Sequence, residues 1–201
     1  MQEKKSILRM TSLVMIVVIA AKALGLIKQM VISAMFGTSL ETDIMLLSQE
    51  FISNIQYILA QMILTAFTAI YIHLKNEKLS NANIFIRNAI KLFLLIGIMA
   101  IVFSICLASV IAKVIAPTYT AEKLLLLTNY LRIYAFTLIP SILIAIFGAL
   151  LNANDRYVIN ESSTLIQNLI IIVIVLIGRH IVGINVLIYS TFAYSIFNMI
   201  Y

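Results

Sequence analysis

Residues 92–112 read LFLLIGIMAIVFSICLASVIA, a run of 21 residues without a charged side chain. At about 1.5 Å per residue, roughly 20 residues of helix cross the roughly 30 Å hydrocarbon layer of a bilayer. A predominantly apolar run of this length therefore predicts a transmembrane helix. Similar runs occur along the whole chain, which is 63% hydrophobic and 11% charged, whereas soluble domains are about 25% charged.

The apolar runs predict an all-α integral membrane protein, a six-transmembrane-helix bundle that forms a single membrane domain over residues 1–201. Strands are not expected, because the chain lacks the roughly ten-residue alternating segments of a membrane barrel. Helices then remain as the backbone that satisfies its own polar groups in lipid. The predicted spans are Ser6–Phe36, Thr42–His73, Asn83–Ile115, Lys123–Leu151, Arg156–Ile177 and Ile181–Tyr201.

Lysine and arginine are distributed unevenly among the segments that join the spans. With the N-terminus in the cytoplasm, eight of them fall on inner segments and three on outer ones. Cytoplasmic loops carry an excess of these residues, so the bias predicts a cytoplasmic N-terminus and, with six spans, a cytoplasmic C-terminus. The inner residues are Lys4, Lys5, Arg9, Lys75, Lys78, Arg87, Lys91 and Arg156, and the outer ones are Lys113, Lys123 and Arg179.

The first span also mimics a cleaved signal peptide, because Lys4-Lys5 precede an apolar run that ends in Ala21-Lys22-Ala23. The apolar pattern resumes directly after Ala23, whereas a signal peptide would end there. We therefore expect the segment to remain as the first membrane helix.

Several functional classes find no support in the sequence. Two histidines and the single Cys106 lie far apart, so we expect no metal site and no cofactor. There is no nucleophile elbow, P-loop or dinucleotide fingerprint, which makes an enzyme the least favoured class. The net charge of +6 reflects the membrane orientation, since no basic face with interleaved aromatics of the kind that binds nucleic acid is present.

Two lysines inside the first span, Lys22 and Lys28, are candidate functional residues. A lysine at the bilayer centre costs about 2.5–3.5 kcal/mol on insertion scales, and such residues usually face a bundle interior or a water-filled cavity. The alternative is that their ammonium groups snorkel to the headgroups. The two are about 120° apart on a straight helix, and Gly25 between them could permit a bend.

The second span carries a polar stripe that falls within an arc of about 80° at 100° per residue. A stripe of this kind is costly against lipid, and it indicates a wet cavity rather than a hydrogen-bonded helix interface, which is the alternative. Glu50 and Lys28 are predicted at similar depths below the outer ends of their helices, so they could form an ion pair. The stripe contains Glu50, Asn54, Tyr57, Gln61, Thr65 and Thr68, and Gln49, Ser53 and Gln56 widen it.

Several motifs in this order resemble the lipid II flippases of the MviN/MurJ type, a family of the multidrug/oligosaccharidyl-lipid/polysaccharide exporter superfamily. The first is the run from Ala21 to Lys28. The others are Phe36-Gly37-Thr38, Glu41-Thr42-Asp43, Ala116-Pro117, Leu131-Arg132-Ile133, the loop from Leu151 to Tyr157, and Leu165 to Asn168. The resemblance covers most of the chain without large gaps.

The resemblance implies the N-terminal six-helix lobe of a two-lobe transporter for an undecaprenyl-pyrophosphate-linked sugar. By resemblance, Lys22 and Lys28 occupy positions of cavity arginines, and Asp43 matches a loop aspartate. Where the family has an arginine pair on helix 2, followed by an acidic residue and a glycine, this chain has Gln56, Tyr57, Gln61 and Met62. The candidate substrate-binding residues are Lys22, Lys28, Glu50, Asn54, Gln56, Tyr57 and Gln61, and the other motif residues are Gly25, Gly37, Asp43, Asn152, Arg156 and Asn168.

The expected function is that of a flippase for lipid II or a similar cell-wall precursor in the bacterial cytoplasmic membrane. Its expected partners are the lipid-linked glycan, membrane lipid and a second lobe, which would be a missing C-terminal part, a second chain or another copy. The alternatives are a flippase for another lipid-linked polysaccharide, an ion-coupled small-solute exporter of the same superfamily and a non-transporting membrane scaffold. The glycan and any coupling ion stay open.

Overall fold

The computed structural model describes residues 2–37, 39–77 and 79–200. These residues form seven α-helices and a 3₁₀ turn, Gly183–Asn185. No strand occurs within the described ranges, so the predicted all-α class is confirmed. The helices are α1 (Gln2–Phe36), α2 (Leu40–Glu77), α3 (Leu79–Ile115), α4 (Ala121–Ala135), α5 (Leu138–Ala153), α6 (Tyr157–Val182) and α7 (Val186–Ile200).

The prediction of six membrane spans is wrong in its count. Five segments of the described chain are long and apolar enough to cross a membrane. The difference lies in the predicted fifth and sixth spans, because a single segment, Tyr157–Met199, contains both α6 and α7. The five segments are Met10–Phe36, Leu40–Glu77, Ser80–Ile115, Ala121–Ala153 and Tyr157–Met199.

The predicted fourth span is interrupted between α4 and α5. Phe136 and Thr137 form a turn in which their amides donate to the carbonyls of Ile133 and Tyr134, at 3.3 and 2.9 Å. Pro140 explains the break, because proline has no amide to donate to the carbonyl four residues earlier. Proline is tolerated in the first turn of a helix, so α5 begins just before it.

Local capping marks the end of α1 and, separately, the beginning of α2. Gly37 follows the last residue of α1 with φ of 63°, a left-handed conformation that glycine adopts without steric cost. At the start of α2, the hydroxyl of Ser39 accepts a hydrogen bond from the amide of Thr42 at 3.2 Å. Glu41 and Asp43 in the first turn add negative charge where the helix dipole favours it.

The described helices belong to two compact units. Unit 1 comprises Met1–Gly37 and Leu150–Tyr201, and unit 2 comprises Thr38–Ala149. In unit 1, α6 packs against both α1 and α7, and in unit 2 the helices α2, α3 and α4 pack against one another. The prediction of a single membrane domain stays a prediction.

Small residues allow close helix contacts within each unit. In unit 1, a Cβ on Gly178 would lie 2.6 Å from Cγ2 of Val186, so α6 and α7 approach closely at this glycine. In unit 2, a Cβ on Gly97 of α3 would lie 2.7 Å from Cδ1 of Ile142 of α5. Such glycines let apolar helices pack in lipid, where van der Waals contact rather than the hydrophobic effect drives association.

Candidate functional site

The two candidate lysines of unit 1 lie on different faces of α1. The helix continues unbroken through Gly25, so the predicted separation of about 120° holds. Lys28 is half-buried and shares a face with Ala21, Gly25 and Ile32, whereas Lys22 is exposed. Lys28 is therefore the more enclosed of the two ammonium groups.

Asn168 joins α6 to α1 on that same face. Its side chain is 5% exposed, and its Nδ2 donates to the backbone carbonyl of Ala21 at 3.0 Å. A Cβ on Gly25 would meet the same nitrogen at 3.6 Å. The motif residues Gly25 and Asn168, distant in sequence, are thus neighbours beside the two lysines.

The polar stripe of unit 2 lies on the face of α2 that is turned away from its packed face. Ile52, Ile63 and Phe67 are almost completely buried, and the stripe is centred about 180° from Ile52 at 100° per residue. Glu50, Asn54, Tyr57 and Gln61 are all exposed. Within the described part of the chain, these four side chains form no hydrogen bond, so the stripe is not a bonded interface within unit 2.

Gln56 differs from the stripe that it was predicted to widen. Its Nε2 donates to the hydroxyl of Thr137 at 2.6 Å, and that hydroxyl donates to the carbonyl of Tyr134 at 2.6 Å. Gln56 therefore ties α2 to the break between α4 and α5. The hydroxyl of Tyr134 itself is buried and has no partner among the described residues.

At the beginning of α2, Tyr130 of α4 donates a hydrogen bond to a carboxylate oxygen of Glu41 at 3.1 Å. Asp43, the motif aspartate, is exposed, and its amide donates to the carbonyl of Ser39 at 3.0 Å. The side chain of Asp43 thus stays available at the helix N-terminus.

The motif loop before α6 is a tight turn. Asp155 adopts φ of 59°, a left-handed conformation that aspartate tolerates better than most residues. The amide of Arg156 donates to the carbonyl of Leu151 at 2.9 Å, and the side chain of Arg156 is exposed. The side chain of Asn152 accepts a hydrogen bond from Asn160 at 3.1 Å, so it links α5 to α6 in unit 1.

Sequence reasoning missed two polar residues that connect helices of unit 2, Thr137 and Tyr130. The motif residue Arg132, near both in sequence, is exposed. Pro140 was the available signal for the break at Thr137, because an interior proline interrupts the helical hydrogen bonds.

The chemistry that these side chains offer is non-covalent. Lys22 and Lys28 present positive charge suited to an anion, and the α2 stripe presents a carboxylate, amides and hydroxyls that suit a hydrated polar group. In the described ranges, no group of three His, Cys, Asp or Glu side chains could hold a metal ion.

Long apolar helices that carry lysines and a polar stripe define a multi-pass α-helical membrane protein. The sequence model of the family described as "Lipid II flippase MurJ" matches residues 32–200. The chain therefore belongs to the lipid II flippase MurJ family. The match includes the α2 stripe and Asn168, whereas Lys22 and Lys28 precede it.

One curated relative is the "Probable lipid II flippase MurJ" of Buchnera aphidicola subsp. Baizongia pistaciae (strain Bp). It is 28% identical over 162 residues, which cover 77% of this chain and 31% of the relative. The chain thus spans about a third of the length of that relative.

Proposed function

We propose that this chain is part of a flippase that moves lipid II, or a similar undecaprenyl-pyrophosphate-linked cell-wall precursor, across the bacterial cytoplasmic membrane. The observation that carries the proposal is the family match over residues 32–200. The name of the relative from Buchnera aphidicola agrees with it. Such a protein binds and moves its substrate and has no need of a catalytic constellation.

The charges on α1 support a pyrophosphate as the group that is bound. Lys22 and Lys28 would attract the pyrophosphate, and the stripe from Glu50 to Gln61 would solvate the sugar, while the lipid tail stays in the bilayer. A lysine is a compact point charge that binds phosphate without the bidentate geometry of arginine. The proposed contacts are thus mainly electrostatic.

An alternating-access mechanism would require a second lobe. Transporters of this kind commonly move one helical repeat against another around a central site, and this chain spans 31% of its relative. We propose that a further lobe, in the same polypeptide or in another chain, completes the cavity. We also propose a cytoplasmic N-terminus, because the eight inner lysines and arginines outnumber the three outer ones.

A second candidate is a flippase for another lipid-linked polysaccharide. By resemblance, helix 2 of the family carries an arginine pair followed by an acidic residue and a glycine, whereas this chain has Gln56, Tyr57, Gln61 and Met62 there. Moreover, the side-chain amide of Gln56 donates a hydrogen bond to the hydroxyl of Thr137. A less cationic helix 2 favours a substrate with a different head group on the same pyrophosphate carrier.

The test is transport by the complete transporter in proteoliposomes. Fluorescent lipid II and a fluorescent undecaprenyl-pyrophosphate glycan of different composition are each placed in the membrane, and an impermeant reductant then bleaches the label in the outer leaflet. For the true substrate, we expect the reductant to bleach more than half of the label. In the double variant Lys22→Ala/Lys28→Ala, this additional bleaching should be lost. Equal bleaching with and without the protein for both lipids would contradict the proposal. Preference for the second glycan would select the second candidate.

A further inference from the structure

The outer surface of α3 bears an apolar groove that plays no part in the proposed transport site. The groove encloses about 440 Å³. Four of its residues are at least half exposed, Phe103 most of all at 64%, so it opens away from the packed face of α3. Its lining is Ile98, Met99, Val102, Phe103, Cys106 and Leu107.

Two exposed cations, Arg87 and Lys91, lie on α3 before the groove. In the described part of the chain, neither side chain has a carboxylate or hydrogen-bond partner. The helix α3 contains no aspartate or glutamate, so no charge on its own surface neutralises them. The charge-free run of residues 92–112 begins directly after Lys91, which places the pair at the edge of the hydrocarbon layer.

The cation pair lies in line with one edge of the groove. At about 100° per residue, Arg87 and Lys91 are about 40° apart, and Ile98 and Val102 each lie within about 20° of Lys91. The other four lining residues lie roughly 60–160° further round the helix. Along the axis, Val102 is about 16 Å from Lys91. This distance is close to half of the roughly 30 Å hydrocarbon thickness, so the groove is centred at the depth where the acyl chains of one leaflet end.

We propose that this side of α3 is a specific binding site for an anionic phospholipid. The headgroup phosphate contacts Arg87 and Lys91, and an acyl chain lies along the helix with its distal half against Ile98 and Val102 at the near edge of the groove. An anionic lipid is the occupant that matches both features, because a zwitterionic lipid would leave two unneutralised cations and a soluble anion would leave the groove unused. The positive-inside bias assigns the lipid to the cytoplasmic leaflet. The site is independent of the proposed transport function.

The absence of tryptophan from these 201 residues permits a direct test. The variant Val102→Trp places a fluorophore at the edge of the groove that faces the cation pair. The complete transporter, with any tryptophan outside these residues replaced by phenylalanine, is reconstituted in phosphatidylcholine vesicles that contain a minor fraction of phosphatidylglycerol, and bromine on the acyl chains of one lipid or the other quenches the fluorophore. A cation near an anionic headgroup is worth about fivefold in affinity, so brominated phosphatidylglycerol should occupy the groove at least about fivefold above its share.

The matched variants separate a site from general electrostatics. The change Arg87→Gln/Lys91→Gln should reduce quenching by phosphatidylglycerol to its share of the lipid. Lys113→Gln removes one charge from the other end of the same helix, and the preference should survive it. The proposal is wrong if each lipid quenches the Val102→Trp protein in proportion to its share of the membrane. It is also wrong if Lys113→Gln reduces quenching by phosphatidylglycerol as much as the double glutamine change does.

A second measurement uses the groove without tryptophan. Native mass spectrometry of the detergent-solubilised complete transporter, mixed with equal amounts of the two phospholipids, should show retained phosphatidylglycerol. The double glutamine variant should retain one molecule fewer. Equal retention of the two phospholipids would contradict a specific site, independently of the fluorescence result.

Discussion

The side-chain amide of Asn168 on α6 donates a hydrogen bond of 3.0 Å to the backbone carbonyl of Ala21 on α1. The residue that follows Ala21 is Lys22, and Gly25 lies one turn further on. The bond therefore fixes α1 at the segment that presents both candidate lysines.

Replacement of Asn168 by leucine should destabilise unit 1. Hydrogen bonds between membrane helices are worth about 0.6 kcal/mol on average and up to about 1.7, and the free energy of unfolding should fall by an amount in that range. Asn168→Asp should cost more, because its carboxyl oxygens would face the Ala21 carbonyl without a donor. Unfolding by denaturant in mixed micelles measures both.

The neighbouring Gln167 supplies the control for Asn168. It is half-buried and forms no hydrogen bond within the described ranges, so Gln167→Leu should be close to neutral. Gly25→Ala should also be tolerated, because the added Cβ would lie at ordinary contact distance, 3.6 Å, from the Asn168 nitrogen. An equal loss from Gln167→Leu and Asn168→Leu would show that the hydrogen bond contributes nothing.

A double-mutant cycle should detect coupling between Gln56 and Thr137. Each single change, Gln56→Leu or Thr137→Val, leaves one polar partner unmatched, whereas the double variant removes both. We expect the losses in unfolding free energy to be non-additive by about 1 kcal/mol. Gln61 on the exposed stripe is the matched control, and Gln61→Leu with Thr137→Val should be additive within about 0.5 kcal/mol.

Positive charge on α1 should matter for transport more than side-chain shape. In the complete transporter, Lys22→Ala and Lys28→Ala should each abolish flipping, while Lys22→Arg and Lys28→Arg should be tolerated, because arginine keeps the charge and binds phosphate well. The assay is the reductant-bleaching measurement, with membrane abundance checked by immunoblot. Loss of flipping in the arginine variants would exclude charge as the main requirement.

The role of Lys28 can be separated from a structural ion pair with Glu50. If Lys28 served only to neutralise Glu50, then Lys28→Ala together with Glu50→Gln should restore flipping, because no unpaired ion would remain in the membrane. We expect no recovery. Full recovery at normal abundance would remove Lys28 from the substrate site and leave Lys22 as the candidate contact.

The membrane orientation is testable by thiol labelling. Cys106 is the single cysteine of these 201 residues, so Cys106→Ala, with any cysteine outside them also replaced, gives a clean background. Cysteines introduced at the exposed positions Ser39 and Thr118 should react with an impermeant maleimide in intact cells. A cysteine at Asn81, also exposed, should react after the cells are lysed. Labelling of Asn81→Cys in intact cells would reverse the orientation.

The helices were predictable from sequence because apolar run length is a local property. The predicted first span ends at Phe36 and the third at Ile115, as α1 and α3 do. The break before Pro140 was missed, and α6 and α7 were assigned to two spans although they lie in one segment, since composition alone does not show where a long apolar segment is divided. The fold class was therefore right and the number of spans was not.

The hydrogen bonds between helices were harder to predict from the sequence than the helices themselves. Asn168 bonds a backbone carbonyl 147 residues away, and a carbonyl acceptor leaves no side-chain signature in the sequence. Gln56 was assigned to the stripe by periodicity, yet its partner Thr137 is 81 residues away. Periodicity gives the face of a helix, whereas the partner depends on how the helices pack.

The length of the α2–α3 pair has a practical consequence for imaging. At 38 and 37 residues, the helices are about 57 and 55 Å long. Even at a tilt of about 40°, the upper end of the usual range, a helix needs only about 39 Å to cross the roughly 30 Å hydrocarbon layer. About 16 Å or more of each helix must then stand in water or among headgroups. A fiducial domain fused in continuous helical register to that part would give a small membrane protein a rigid alignment marker for single-particle microscopy.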